Sequence, residues 1–317
     1  MQPRHQRSLS RMLALSLLAI VLFIAFGPRP HVVPHQPVIR HLPEDLDAYL
    51  TEQESHFPLR PETEKKIVWA VPDKRPTRLS IIYLHGFSAS RREISPVVEQ
   101  VAASLKANLF FTRLKGHGMT GKELTSATTN DWLHDSDEAY QIGKRLGDRV
   151  IVVGNSTGAA LALGLAQDHA ADIEALVLIS PNFGLKDKRA GVMLWPWGLH
   201  LLRLAIGSER EWEPKNPRQA EIWTYRYPIE ALVPMILTAR QAEQIDPSRI
   251  QTPLLMVFTE NDQTINVPLV KDRFLRFGSV KKELFEVREA EEHVLAGDAT
   301  SPKTTRAVVE RMVRFLE

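Results

Sequence analysis

Residues 149–166 constrain this chain more than any other stretch. A β-branched run, Arg149-Val150-Ile151-Val152-Val153, leads into Gly154-Asn155-Ser156-Thr157-Gly158 and out into an alanine-rich segment of helical character, 159–166. A strand that passes straight into a helix across a glycine-flanked serine has few solutions. Small neighbours let the backbone turn sharply and leave the serine hydroxyl projecting above a sheet edge. The alternative for Ser156 is an N-cap behind a glycine turn.

The surroundings extend the same pattern. Short apolar runs recur at 67–71, 79–84, 108–112, 150–153, 175–179, 254–259 and 284–287. Between most of them lie stretches with helical spacing, such as Val97, Val101 and Leu105. Strands alternating with helices predict βαβ units, hence an α/β fold with a mainly parallel sheet covered on both faces. One interval breaks the rhythm, with no clear strand between Ile179 and Leu254. Residues 183–245 hold Trp195, Trp197, Trp212 and Trp223, four of the six tryptophans, with Leu199, Leu201, Leu202 and Leu204. This predicts a helical cap over one end of the sheet, although each tryptophan taken singly fits the insertion's own core equally well.

The 317 residues suggest one or two domains, and the net charge of +2 conceals two parts. Five of the 40 basic residues, Arg4, Arg7, Arg11, Arg29 and Arg40, precede the first acid, Glu44. Residues 1–43 thus carry +5, and the remainder, with 35 basic against 38 acidic residues, carries −3. A body at −3 has no electrostatic case for binding nucleic acid. The tail reads as a targeting segment: Arg4, His5, Arg7 and Arg11 precede an apolar run from Met12 to Phe26, broken only by Ser16. Its helix would reach ~22 Å, short of a ~30 Å hydrocarbon core unless the flanks snorkel or the bilayer thins. Ala25-Phe26-Gly27 offers a small-x-small cleavage pattern, but the bond would precede Pro28. An uncleaved signal anchor over 1–27 is therefore the expectation, and a cleaved signal peptide the alternative. Positive charge on the cytoplasmic side would put the rest across the inner (cell) membrane, on the periplasmic side, held by one span or exported after cleavage. Pro28, Pro30, Pro34, Pro37 and Pro43 make 28–43 an extended tether, expected to hold the body off the bilayer. Residues 44–317 form the catalytic domain.

A serine hydroxyl needs a base oriented by an acid. With no cysteine in the chain, no thiol competes for the nucleophile's role. In a strand–serine–helix fold the chain order is serine, acid, histidine. Three histidines follow Ser156. His169 ends the serine's own helix and His200 lies in the cap. His293 arrives in the loop after the last strand, where a base belongs. The acid should follow the preceding strand, where Asp262 fits, with Glu260 as runner-up; Asp246 precedes that strand and is at the wrong end. One oxyanion donor is the Thr157 N–H, and the other is expected from Phe87, after Tyr83-Leu84-His85-Gly86. His85 and His117, the latter in Lys115-Gly116-His117-Gly118, are read as loop braces.

The His85-Gly86, Gly116-His117-Gly118 and Gly154–Gly158 elements, with Asp262 and His293, resemble the α/β-hydrolase superfamily. The likeness is to its monoacylglycerol-lipase, lysophospholipase and serine-aminopeptidase-like branch, over residues 65–317. That resemblance implies an eight-stranded, mostly parallel sheet with a helical cap, and acyl hydrolysis through a serine acyl-enzyme. By motif it puts the nucleophile on Ser156, the acid on Asp262, the base on His293 and the oxyanion donors on Phe87 and Thr157. Serine at 156 separates the chain from the dehalogenase branch, which uses aspartate there.

The expected activity is hydrolysis of an acyl ester, lipid-like as in monoacylglycerol or lysophospholipid, with no cofactor. A serine aminopeptidase is the alternative. It would need an anionic pocket, and the cap acids Glu209, Glu211 and Glu213 are interspersed with Arg210 and Lys215. A third possibility is a membrane-tethered binding protein on a hydrolase fold.

Overall fold

The computed structural model describes residues 3–31, 33–38 and 41–317, the side chains of 3–10 excepted. The basic side chains of Arg4, His5, Arg7 and Arg40 therefore lie outside the described residues. A seven-stranded sheet is built from β1 (Lys66–Val68), β2 (Thr77–Leu84), β3 (Asn108–Phe111), β4 (Gly147–Asn155), β5 (Ile173–Ile179) and two later strands. A separate pair, β6 (Glu209–Glu211) and β7 (Arg226–Pro228), lies in the cap, and β8 (Leu254–Phe258) and β9 (Lys282–Glu286) complete the main sheet. The order is β1-β3-β2-β4-β5-β8-β9, parallel except at β1, which runs antiparallel to β3. This is the α/β-hydrolase fold, with seven sheet strands among the described residues rather than eight. The described residues before Lys66 form helix and loop, with no further strand among them.

Eleven α-helices are described: α1 (Pro3–Ala25), α2 (Leu46–Ser55), α3 (Val97–Leu105), α4 (Gly121–Leu124), α5 (Thr129–Leu146), α6 (Thr157–Asp168), α7 (Gly198–Ile206), α8 (Pro217–Ile222), α9 (Leu232–Gln244), α10 (Val267–Arg276) and α11 (Pro302–Leu316). Strand side chains alternate between faces. Ile82 and Leu84, Val150 and Val152, and Leu254 and Met256 join the α5, α6 and α10 core. Ile81 and Tyr83, Ile151 and Val153, and Leu255 and Val257 join the α3 and α11 core. All twelve are buried, so the central strands are apolar on both sides, as a helix-covered parallel sheet requires.

Parallel register brings the strands' carboxyl ends to one edge: Leu84 pairs with Gly154, Asn155 with Ile179, and Ile179 with Val257. The cap joins β5 to β8 over that edge. It is not purely helical, because β6 and β7 pair antiparallel within it.

The proline-rich segment is laid along the body rather than standing free. Gln141 Nε2 donates to Val38 O (2.6 Å) and Arg145 to Leu42 O (3.2 Å), both from α5. Asp137 on the same helix accepts Val38 N–H (3.1 Å) and contacts His35 Nε2 (3.0 Å). Prolines lack donors, so the segment's carbonyls find side-chain donors on α5. At its start, Trp197 of the cap donates from its ring to Phe23 O (2.8 Å) and from its backbone to Pro28 O (3.0 Å). Among the described residues no helix is long and apolar enough to cross a membrane.

Candidate active site

Ser156 sits between β4 and α6 with φ 54° and ψ −113°, a left-sided conformation that costs a non-glycine residue ~1–3 kcal/mol. Its neighbours make the turn possible. A Cβ on Gly158 would fall 1.9 Å from Leu84 O, and one on Gly154 would fall 2.4 Å from Gly158 O. Hydrogen at 158 lets α6 approach β2, and hydrogen at 154 lets β4 fold back so tightly on the first turn of α6. The Ser156 N–H is tied to Ile179 O (2.9 Å), which fixes the turn to β5.

The predicted base and acid meet the serine. Ser156 Oγ lies 2.8 Å from His293 Nε2, and His293 Nδ1 lies 2.6 Å from Asp262 Oδ2. The second Asp262 oxygen accepts the N–H groups of Thr264 (2.7 Å) and Ile265 (3.2 Å). Burial pushes the Asp262 carboxyl up, but the His293 hydrogen bond and charge, with those two N–H groups, hold it below its ordinary value. The His293 loop is pinned by Ser180 Oγ on His293 O (2.7 Å) and by Thr259 Oγ1 and Asn261 Nδ2 on Ala290 O (both 3.0 Å). A carboxylate at Nδ1 favours the imidazole tautomer with its proton there and Nε2 as the acceptor.

The oxyanion loop follows β2. His85 Nδ1–H donates to Gly86 O (2.8 Å), and its Nε2 accepts Leu114 N–H (3.1 Å). His117 Nε2 accepts Ser88 N–H (3.0 Å). Burial lowers the His85 pKa to about 4 and that of His117 well below its ordinary value, so both stay neutral and brace the loop. The Phe87 N–H has no partner among the described residues, and Thr157 opens α6 with Phe87 and Ser156 on the wall of the same cavity.

The other candidates lie elsewhere. His169 caps the end of α6, stacked on Tyr140 with ring centroids 3.9 Å apart. His200 packs against Trp197 in the cap. Glu260 is exposed and pairs with Lys271 (2.6 Å), while Asp246 caps the turn at Ser248.

Ser156 opens into a cavity of about 360 Å³. Leu185, Trp223, Tyr227 and Met235 give it an apolar wall, and Glu213, Lys215 and Glu292 a charged rim. Two of the cap tryptophans, Trp212 and Trp223, thus reach the cavity, whereas Trp195 is 63% exposed and belongs to the cap's outer surface. Sequence order gives no sign of Asn182: its N–H donates to Ser156 O (3.1 Å), and its Oδ1 is buried beside the cavity without a partner among the described residues. Among the described residues no cluster of histidine and carboxylate side chains is placed to hold a metal ion.

The family model for Hydrolase_4, described as serine aminopeptidase, S33, matches residues 75–299. Among solved structures, one from the LipS and LipT pair of metagenome-derived lipolytic enzymes superposes with a TM-score of 0.64 at 21% identity, over 81% of this chain and 98% of that one. A Paleococcus ferrophilus monoacylglycerol lipase gives 0.59 at 16% identity, covering 80% and 99%. A soluble variant of Saccharomyces cerevisiae monoglyceride lipase, in complex with a substrate analogue, gives 0.57 at 14% identity, covering 80% and 91%. At these identities the likeness is one of fold. No curated protein matches the chain by sequence.

Proposed function

The chain belongs to the Hydrolase_4 family, serine aminopeptidase S33, and from that premise we propose that it hydrolyses carboxylic esters through an acyl-enzyme on Ser156. The observation that carries this is the continuous chain from Ser156 Oγ through His293 to Asp262, at 2.8 and 2.6 Å. Ser156 attacks the ester carbonyl while His293 Nε2 takes its proton. The imidazolium that forms is stabilised by Asp262. The tetrahedral oxyanion is received by the Phe87 and Thr157 N–H groups. His293 then returns the proton to the leaving alcohol, and water repeats the sequence to free the acid. The apolar cavity wall suits an acyl chain and the charged rim a polar headgroup, which supports a lipid-like ester such as a monoacylglycerol or lysophospholipid.

The family description and the exposed Glu213 at the rim favour a second reading, an aminopeptidase that binds an α-ammonium group. A panel of p-nitrophenyl esters, monoacylglycerols, lysophospholipids and aminoacyl amides separates the two. Acyl esters are expected to exceed aminoacyl amides in kcat/KM by about tenfold or more. Faster amide turnover would establish the peptidase. No turnover, together with no reaction with a fluorophosphonate probe, would leave a binding protein on a hydrolase fold.

We read the basic tail and the exposed apolar stretch from Met12 to Phe26 as a signal anchor that keeps the catalytic domain on the periplasmic side. The full chain is expected to remain with membranes through a carbonate wash and to be digested by protease added to spheroplasts. A soluble product whose N-terminus is Pro28 would instead establish cleavage and export.

A further inference from the structure

Glu93 lies between β2 and α3 in Ser90-Arg91-Arg92-Glu93, a run whose charge suggests a solvated surface. The two arginines are paired with carboxylates, Arg91 with Glu64 and Arg92 with Glu62. Glu93 turns inward and is 1% exposed. Its Oε1 accepts the Gly86 N–H at 2.6 Å and the Tyr83 O–H at 2.7 Å. Its Oε2 lies 3.0 Å from where a Gly86 Cβ would stand, and Ser156 Cβ lies 3.3 Å from the same point. The carboxylate therefore sits behind the oxyanion loop, next to the nucleophile's turn. Among the described residues it forms no ion pair. A buried carboxyl without a cation is costly, and apolar packing would serve stability better.

What the carboxylate does is visible in the loop's donors. The Gly86 N–H is held by Glu93, the Ser88 N–H by His117, and the Ala89 N–H by Gly86 O. Of the four N–H groups from Gly86 to Ala89, the one of Phe87 is without a partner among the described residues. We propose that Glu93 is the positioning residue of the oxyanion hole: its carboxylate clamps Gly86 so that the Phe87 N–H faces the acyl carbonyl on Ser156, and the clamp is firm only while Glu93 is ionised. This rests on the reading of Ser156 as nucleophile. An ionised oxygen accepts two strong hydrogen bonds, whereas a carboxyl protonated on Oε2 leaves Oε1 an uncharged and weaker acceptor for both donors.

The groups facing Glu93 are Tyr83 from β2, Gly86 from the loop, Asn155 from the end of β4 and His293 from the base's loop. Glu99 on α3 acts on Tyr83 and accepts a hydrogen bond from Ser95 Oγ. Burial pushes the Glu93 carboxyl up to about 7, against the opposing pull of Tyr83, Gly86, Asn155 and His293. The carboxylate is thus present above about pH 7 and lost as pH falls through that value. Removing the Tyr83 hydroxyl removes a group that favours the ionised form, so the transition must move to higher pH.

The test is the pH profile of kcat and KM for an acyl ester, from about pH 5 to pH 9, in wild type, Glu93→Gln and Tyr83→Phe. Glu93→Gln is expected to lower kcat by about tenfold to a hundredfold with KM within about twofold, and to remove one ionisation from the acid limb. Tyr83→Phe is expected to shift that limb to higher pH. At about pH 8, Glu93→Gln should melt no lower than wild type, because burial disfavours the charge it removes. The proposal is overturned if Glu93→Gln keeps kcat and the acid limb unchanged. A Tyr83→Phe limb that does not move overturns it as well. So does a fall in kcat that simply tracks a lower melting temperature. If wild type itself neither reacts with a fluorophosphonate nor turns over an ester, the nucleophile's assignment fails and takes the positioning role with it. If wild type does both and Glu93→Gln does too at full rate, only the positioning role is lost.

Discussion

Ser156→Ala is expected to abolish fluorophosphonate labelling and to lower kcat by about 10⁵- to 10⁶-fold, the scale at which a triad acts as a unit. What survives is the oxyanion hole and the cavity, worth ~10³–10⁴ over water. The fold should not suffer. The φ of 54° is imposed by the β4–α6 turn and by the packing of Gly158 on Leu84 O, neither of which needs the hydroxyl. The lost contact is one hydrogen bond to His293 and the backbone strain stays, so the melting temperature should lie within about 4 °C of wild type. Intact-mass measurement after probe treatment and initial rates on the preferred ester decide the matter. Labelling that persists in Ser156→Ala, or activity within about a hundredfold of wild type, would place the nucleophile elsewhere.

The proposed triad was legible because its three members obey one rule of order and place. Each follows a strand's carboxyl end, and parallel strands with short apolar runs can be found in a sequence by composition alone. Glu93 obeys no such rule. Its neighbours Arg91 and Arg92 disguise it as surface; the loop itself folds it back on Gly86, and the pairing of β2 with β4 brings Asn155 beside it. The same holds for Ser180, whose hydroxyl pins the His293 loop from 113 residues away. The cap's strands were invisible for a different reason. Glu209–Glu211 and Arg226–Pro228 are three residues each, the first wholly charged and the second ending in a proline, too short for any period to show. The proline-rich segment misled through its own composition: prolines describe how the segment bends, while its course is set by Asp137, Gln141 and Arg145 on α5.

Asp262→Asn is expected to cost about 10⁴-fold in kcat with KM little changed, although the substitution removes no atoms of the triad's framework. The Thr264 and Ile265 N–H groups would still hold the side-chain oxygen at its present place. An amide nitrogen would then face His293 Nδ1 and donate to it. The ring proton would move to Nε2, which could no longer accept from Ser156, and the imidazolium would lose its counter-charge. The sign of the stability effect follows from the depressed Asp262 carboxyl. A carboxylate held below its ordinary value contributes stability above that value and loses it as pH falls through the folded pKa. The variant's deficit in melting temperature should therefore be present at neutral pH and shrink in acid, while its deficit in kcat persists wherever wild type is active. Glu260→Gln is the control, since Glu260 pairs with Lys271 at the surface and its loss should leave kcat within about twofold. Equal losses in the two variants would mean that the acid had been assigned to the wrong carboxylate. A small loss in Asp262→Asn would mean that His293 acts without a carboxylate partner at Nδ1.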